Sequence, residues 1–242
     1  MNLLELNGIS RSFGGVKAVQ KVSFHVAQGE ALGLIGPNGS GKSTTVNLVC
    51  GVYGIEEGEI TFDGKKLTKK EDAKDRAKLG LCRTFQTPRP FGQLNVYENV
   101  FTAALLHNNF SVAHRETERV LKTVELSQYR NMRSSKLPIE KRKWLDLARI
   151  LVTRPKLIML DEVMAGLNGS EMDDSIKLVK RINQEEGITV VVIEHIMKAI
   201  LTICNRVIVL NEGQVFAEGA PKEVLSRPEV IHAYIGGDLS DA

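Results

Sequence analysis

Short apolar runs punctuated by glycine dominate the first third of the chain, with no long periodic stretch among them. Residues 22–26, 31–35 and 59–62 have the length and composition of strands, and turn pairs such as Asp63-Gly64 separate them, a combination that predicts an antiparallel β-layer. The pattern then changes. Residues 157–160 and 188–193 are apolar almost without interruption, which predicts parallel strands covered by helices on both faces. Between them, Ile176, Val179 and Ile182 recur at the spacing of one helix face. From about residue 88 to 152 no β-rich run occurs, and Val120, Leu121 and Val124 fall at helical spacing, so this stretch reads as a helical insertion. The expected fold class is α/β, with a mostly parallel sheet, an antiparallel β-subdomain and a helical subdomain. Residues 1–87 and 154–242 are assigned to the core with its β-subdomain, and 88–153 to the helical subdomain.

Composition narrows the class without naming a chemistry. The 242 residues carry a net charge of +3 and are 43% hydrophobic and 25% charged, as in ordinary globular proteins. A chain of this mass exposes roughly 11,000 Å² folded against about 39,000 Å² unfolded, so a large core forms without covalent staples. Cys50, Cys82 and Cys204 are odd in number, far apart and free of any CxxC pair, which argues against a disulfide framework or a thiolate zinc site and for a reducing compartment. The opening residues lack the basic-then-apolar order of a signal peptide, and charges interrupt every apolar run short of a bilayer span. A cytosolic or peripheral protein is expected.

The run Gly36-Pro37-Asn38-Gly39-Ser40-Gly41-Lys42-Ser43-Thr44 follows directly on the apolar strand ending at Ile35 and satisfies G-x-x-x-x-G-K-[ST]. Its glycines let backbone N–H groups curl round an anion, and the helix that follows points its positive end there. Lys42 reaches the β and γ phosphates, and Ser43 offers a hydroxyl to Mg²⁺. A nucleoside triphosphate and Mg²⁺ are therefore the expected ligands. Far downstream, the apolar strand 157–160 ends in Asp161-Glu162, where Asp161 is placed to hold Mg²⁺ through water and Glu162 to polarise the water attacking the γ-phosphate. Two further polar residues follow apolar runs in the same way: Gln86 after 80–85 and His195 after 188–192. Carboxyl ends of parallel strands are where such sheets bind ligands. Gln86 could contact Mg²⁺ or the attacking water and His195 the γ-phosphate, although either could equally be an ordinary loop residue. The other histidines, at 25, 107, 114 and 232, show no ligand spacing and are read as structural.

Phosphate loop, glutamine, acidic strand end and histidine stand in the order that resembles the nucleotide-binding subunit of an ATP-binding cassette transporter, across nearly all of the chain. That likeness implies a P-loop NTPase core and ATP as the nucleotide, and it assigns Phe13, in Ser12-Phe13-Gly14-Gly15, to the aromatic that stacks on adenine. Arg83-Thr84-Phe85-Gln86-Thr87-Pro88-Arg89-Pro90-Phe91, Glu162-Val163-Met164-Ala165-Gly166-Leu167-Asn168 and Ala233-Tyr234-Ile235-Gly236 look like the importers of branched-chain amino acids. The resemblance implies a second ATPase subunit, transmembrane permeases and an external solute-binding protein, with this chain on the cytoplasmic face of the membrane. It also implies a permease contact near residues 87–91, positions that could equally be internal packing.

One motif departs from the pattern. Where the family starts a helix with Leu-Ser-Gly-Gly-Gln to hold the phosphate bound by the opposite subunit, this chain has Leu137-Pro138-Ile139-Glu140-Lys141. Pro138 removes a hydroxyl and an N–H, Ile139 adds bulk where close backbone approach is wanted, and Glu140 is expected to satisfy the helix's own free amides and so compete with phosphate. Lys141, Arg142 and Lys143 partly offset that repulsion. Leu145-Asp146-Leu147-Ala148-Arg149 continues the family pattern, so a helix with an altered tip is expected, and with it a heteromeric pair, the alternative being a homodimer with weak activity at both sites. Finally, Lys65, Lys66, Lys69, Lys70, Lys74, Arg76 and Lys78 alternate with Glu71, Asp72 and Asp75 and include no aromatic residue, which argues against nucleic acid and for a solvated helix face, with anionic lipid contact as a minor option.

Overall fold

The computed structural model describes residues 1–68 and 70–235; Lys69 of the basic cluster and Gly236 of the closing motif lie outside the described residues. β1 (Asn2–Phe13) and β2 (Val16–Ala27) form a long hairpin that turns at Gly14-Gly15, both at positive φ, the conformation a tight turn between twisted strands requires. β3 (Ala31–Ile35) runs into α1 (Lys42–Val49), and β4 (Glu57–Phe62) folds onto β5 (Lys65–Leu67) through Asp63-Gly64, again both at positive φ. Then come α2 (Ala73–Lys78), β6 (Leu81–Arg83), α3 (Val96–Ala104), α4 (Phe110–Thr123) and α5 (Ile139–Leu151). The remainder is β7 (Leu157–Asp161), α6 (Gly169–Gln184), β8 (Thr189–Ile193), α7 (Met197–Ile203), β9 (Arg206–Asn211), β10 (Gln214–Gly219), α8 (Pro221–Leu225) and α9 (Pro228–Ile235).

These strands make two sheets, one antiparallel in the order β2-β1-β4-β5 and one in the order β10-β9-β3-β8-β7-β6, parallel except at its β10 edge. The fold is α/β, with two differences from the sequence reading. Residues 31–35 belong to the parallel sheet, not to the antiparallel layer: β3 is buried at every position, paired with β8 and β9, whereas the half-exposed strands β1, β2 and β4 alternate. Nor do helices alone cover both faces of the parallel sheet. Ala31, Ile158, Leu160, Val190 and Val192 face a core shared with α3, α4, α5, α6 and α7. Leu32, Leu34, Met159, Val191 and Ile193 face α1 and the antiparallel sheet. A short apolar strand buried on both faces looks the same whichever layer covers it, which is why the run alone did not distinguish them.

Helices α3 and α6 open with capping boxes, Asn95 with Glu98 and Asn168 with Glu171, and the Asn109 side chain caps α4. The basic cluster also differs from its reading. Lys65 and Lys66 lie in β5, and Arg76 is no solvated side chain: it is 4% exposed and donates to the carbonyls of Leu48 and Val49, each at 2.7 Å. It thereby caps the C-terminal end of α1, where a cation also complements the helix dipole. Gly51 makes room for it, since a Cβ there would stand 2.8 Å from the guanidinium Nε.

Candidate functional site

The order β3-β8-β7-β6 sets four loops side by side along the carboxyl edge of the parallel sheet. The loop after β3 is residues 36–41, the turn after β8 carries His195, β7 ends in Asp161 with Glu162 next, and the segment after β6 carries Gln86. Residues scattered over the sequence thus share one edge because their strands are neighbours.

The loop has the geometry of an anion cradle. Gly36 has φ 149°, and a Cβ on it would lie 2.1 Å from the Leu210 carbonyl oxygen; Gly41, at φ 99°, would collide with the Ala18 carbonyl at 2.6 Å. Gly39 has φ 75° and open space above it. The first two glycines therefore seat the loop against β9 and β2, and the third leaves its outer side clear. Asn38 and Ser43 are exposed, Thr44 is half-buried, and Ser40 is buried. No side chain caps the N-terminus of α1, whose N-cap is Gly41, and no acid sits in its first turn, so the amides there are available to an anion. Lys42 Nζ curls back to donate to the carbonyls of Gly36 (2.7 Å) and Pro37 (2.8 Å). Burial pushes its pKa down, against the opposing pull of Glu162 and Asp161.

Asp161 is 8% exposed, and its Oδ2 accepts from Arg83 Nη2 at 2.7 Å. Arg83 is steadied in turn by Asn47 Oδ1 on α1. Desolvation raises the Asp161 pKa and Glu162 adds to it, with Arg83 and Lys42 opposing. Glu162 sits at φ 49°, a left-handed conformation held by its N–H on the Ile193 carbonyl (2.9 Å), and its carboxylate accepts from Gln86 Nε2 at 2.5 Å. Ser43, Gln86, Asp161 and Glu162, together with Arg83 and Arg89, line one cavity of about 310 Å³. Hydroxyl, amide and carboxylate oxygens form the hard donor set that suits Mg²⁺, which is held by few carboxylates and completes its shell with water and phosphate. No cluster of three His, Cys, Asp or Glu side chains forms a ready-made cage among the described residues.

His195 is exposed at the end of β8. Phe13 closes β1, half-exposed; the Arg11 guanidinium lies 4.9 Å from its ring centroid and Tyr53 meets it edge-on at 5.2 Å. His114, on α4, bonds Tyr97 on α3 at 2.6 Å. Residues 87–91 are not internal packing: Phe91 is half exposed beneath the Arg149 guanidinium, and a second cavity of about 330 Å³ lies alongside, lined by Phe85, Arg89, Ala103, Leu106 and Arg149.

The α5 tip is in place, with Pro138 at the N-cap and no side-chain cap. Here one expectation fails. Glu140 does not bond the free amides of its own helix; it is buried and pairs with Lys141 at 3.1 Å, while Lys141 rests over the Trp144 ring. A neighbouring cation satisfies the carboxylate more fully than partial helix charges do. Arg142 reaches back to the carbonyls of Leu137 and Ser135.

Arg83 lines the cavity and Glu194 precedes His195, and the sequence reading assigned neither, while Lys143 entered it only as a charge at the α5 tip. The signal for Glu194 was available: an acid trapped between an apolar strand and a candidate histidine. Arg83 gave only a weaker one, as a charge inside a short strand.

The family model for the ABC transporter matches residues 19–165. The high-affinity branched-chain amino acid transport ATP-binding protein BraF of Pseudomonas aeruginosa is 35% identical over 97% of this chain and 98% of its own length. LivG of Escherichia coli K12, described in the same words, is 34% identical over the same shares. Among solved structures, the ADP conformation of MJ1267, an ATP-binding cassette of an ABC transporter, superposes with a TM-score of 0.87 at 31% identity, covering 98% of this chain and 99% of that one. The dimeric structure of MJ0796, a bacterial ABC transporter cassette, superposes with a TM-score of 0.78 at 25% identity over 90% of this chain and 98% of its own.

Proposed function

The chain belongs to the ATP-binding cassettes of the ABC transporter family, and from that premise we propose that it is the ATP-hydrolysing subunit that drives an importer of branched-chain amino acids. The observation carrying this reading is the meeting of the phosphate loop, Asp161, Glu162 and Gln86 at neighbouring strand ends, with Glu162 and Gln86 hydrogen-bonded across the gap. In it, the amides of the 36–44 loop and Lys42 hold the β and γ phosphates, and Phe13 takes the adenine. Ser43, Gln86 and Asp161 hold Mg²⁺, which when bound neutralises charge on the phosphate oxygens. Glu162 polarises the attacking water and His195 donates to the γ-phosphate. The test is Glu162→Gln in the assembled transporter: turnover is expected to be abolished with ATP binding spared, and equal turnover in the two proteins defeats the reading. Leucine uptake into proteoliposomes tests the solute, and ATPase activity without such uptake reassigns the cargo.

The partners follow from two surfaces. The groove beside Phe85, Arg89 and Leu106 presents exposed aromatic and aliphatic side chains on the helical part, residues 88–153 and the segment before it, and suits a permease segment. No helix among the described residues is long and apolar enough to cross a membrane, so membrane attachment at the cytoplasmic face would come through those permeases. An external solute-binding protein would deliver the amino acid without touching this chain. The α5 tip favours a second, different cassette as partner. MJ0796 is a dimer, and in a head-to-tail pair this chain's Lys42, Asp161, Glu162 and His195 are competent if the partner supplies a normal tip. The opposite site, facing Pro138 and the Glu140–Lys141 pair, binds nucleotide and turns it over poorly.

A further inference from the structure

Residues 163–167 form the turn that follows Glu162. Apart from its own short-range bonds, it is gripped by side chains from two other elements. Glu194, next to His195 at the end of β8, accepts the Met164 N–H on Oε1 at 2.8 Å. Lys143, in the second turn of α5, donates to the Ala165 carbonyl at 2.5 Å. Glu194 is 2% exposed, and its second oxygen, Oε2, has no hydrogen-bond partner. Burial pushes its carboxyl up to about 7 and pushes the Lys143 ammonium down, so each group is held where its charged form is disfavoured. A buried carboxylate and a half-buried ammonium are a costly way to tie down a turn that a serine or asparagine would hold as well.

We propose that Glu194 and Lys143 are positioning residues that fix the 163–167 turn from both sides and thereby aim Glu162 at Gln86 and the phosphate cavity. Grip on adjacent residues from a strand end and a helix leaves the turn no hinge, and Glu162, already in a left-handed conformation, is the first residue it would misdirect. The inference rests on the reading of Glu162 as the residue that polarises water.

The experiment uses the assembled transporter, measuring kcat and KM for ATP together with hydrogen exchange at the Met164 amide. Glu194→Ala should lower kcat about 10-fold with KM within about 2-fold, and accelerate exchange at Met164 at least about 10-fold. Glu194→Gln keeps an acceptor for the same N–H and should restore most of both. Lys143→Met should lower kcat about 5-fold, with Lys143→Arg rescuing it. The double variant Glu194→Ala with Lys143→Met should lose less than the product of the single losses, since both hold one turn. If Glu194→Gln is as impaired as Glu194→Ala, the carboxyl acts by charge or proton and the positioning role is overturned. Unchanged kcat in Glu194→Ala overturns it as well, and so does a loss confined to KM. Should Glu194→Ala fail to fold, the Lys143 pair and Glu194→Gln decide the matter by the same exchange and kinetic criteria. Glu162→Gln measured alongside separates the two claims: turnover retained there defeats the motor reading, whatever the turn variants do.

Discussion

The N-termini of α1 and α5 are alike in one respect and opposite in every other. Neither has a side-chain cap, so both leave first-turn amides free, whereas α3, α4 and α6 have theirs satisfied by asparagine. Around α1 the backbone is glycine, the first turn has no acid, and Lys42 stands ready with its ammonium parked on loop carbonyls. Around α5 the cap is a proline, Ile139 is exposed, and Glu140 sits in the first turn with its charge already taken by Lys141. The two uncapped ends thus differ in how closely a ligand can approach and in the sign of the neighbouring charge, the two properties that govern anion binding at a helix N-terminus.

The comparison can be broken at several points. Arg76→Met removes the cation from the far end of α1 and strands the Val49 carbonyl, while Leu48 keeps the Gly51 N–H; denaturant unfolding should show a loss of about 4 kcal/mol. The buried acid at the end of β8 gives a pH signature. Glu194 ionises at about 7 in the fold against 4.5 in the unfolded chain, chiefly through burial. Folding therefore takes up a proton, and the stability this provides is full below about pH 4.5 and is lost as pH rises through 7. Between pH 4.5 and 8 the native chain should lose about 3 kcal/mol more than Glu194→Gln does, read from unfolding midpoints at each pH. Lys42→Met should weaken ATP binding about 100-fold by calorimetry, since it deletes charge-assisted bonds to phosphate. Converting Pro138-Ile139-Glu140 to Ser-Gly-Gly should raise turnover of the assembled complex about 10-fold; no gain would count against the asymmetric pair. Smallest of all, Asn168→Ala should cost about 1 kcal/mol with ATP affinity unchanged, because that cap serves only its own helix.

Much of this was written in the order of residues. The glycine-lysine run after an apolar strand carries its mechanism in its spacing, and the acids after residues 157–160 are legible once a phosphate loop is known to exist. The strand order is what the sequence withholds: that β8 lies between β3 and β7 decides which loops meet, and nothing in residues 188–193 records it. The same limit explains the misplacement of residues 31–35 and the reading of Arg76 as solvated. An arginine amid lysines looks like surface, and only the meeting of α2 with the end of α1 makes it a cap. Glu140 was misjudged for a different reason, because two adjacent charges found each other before the helix amides did.

Arg76 has a further consequence. Gly51 leaves the guanidinium its seat, and that guanidinium terminates the dipole whose opposite pole faces the 36–41 loop. A single methyl group there would dislodge the guanidinium from both carbonyls and unplug the far end of the helix that the glycine-lysine loop opens.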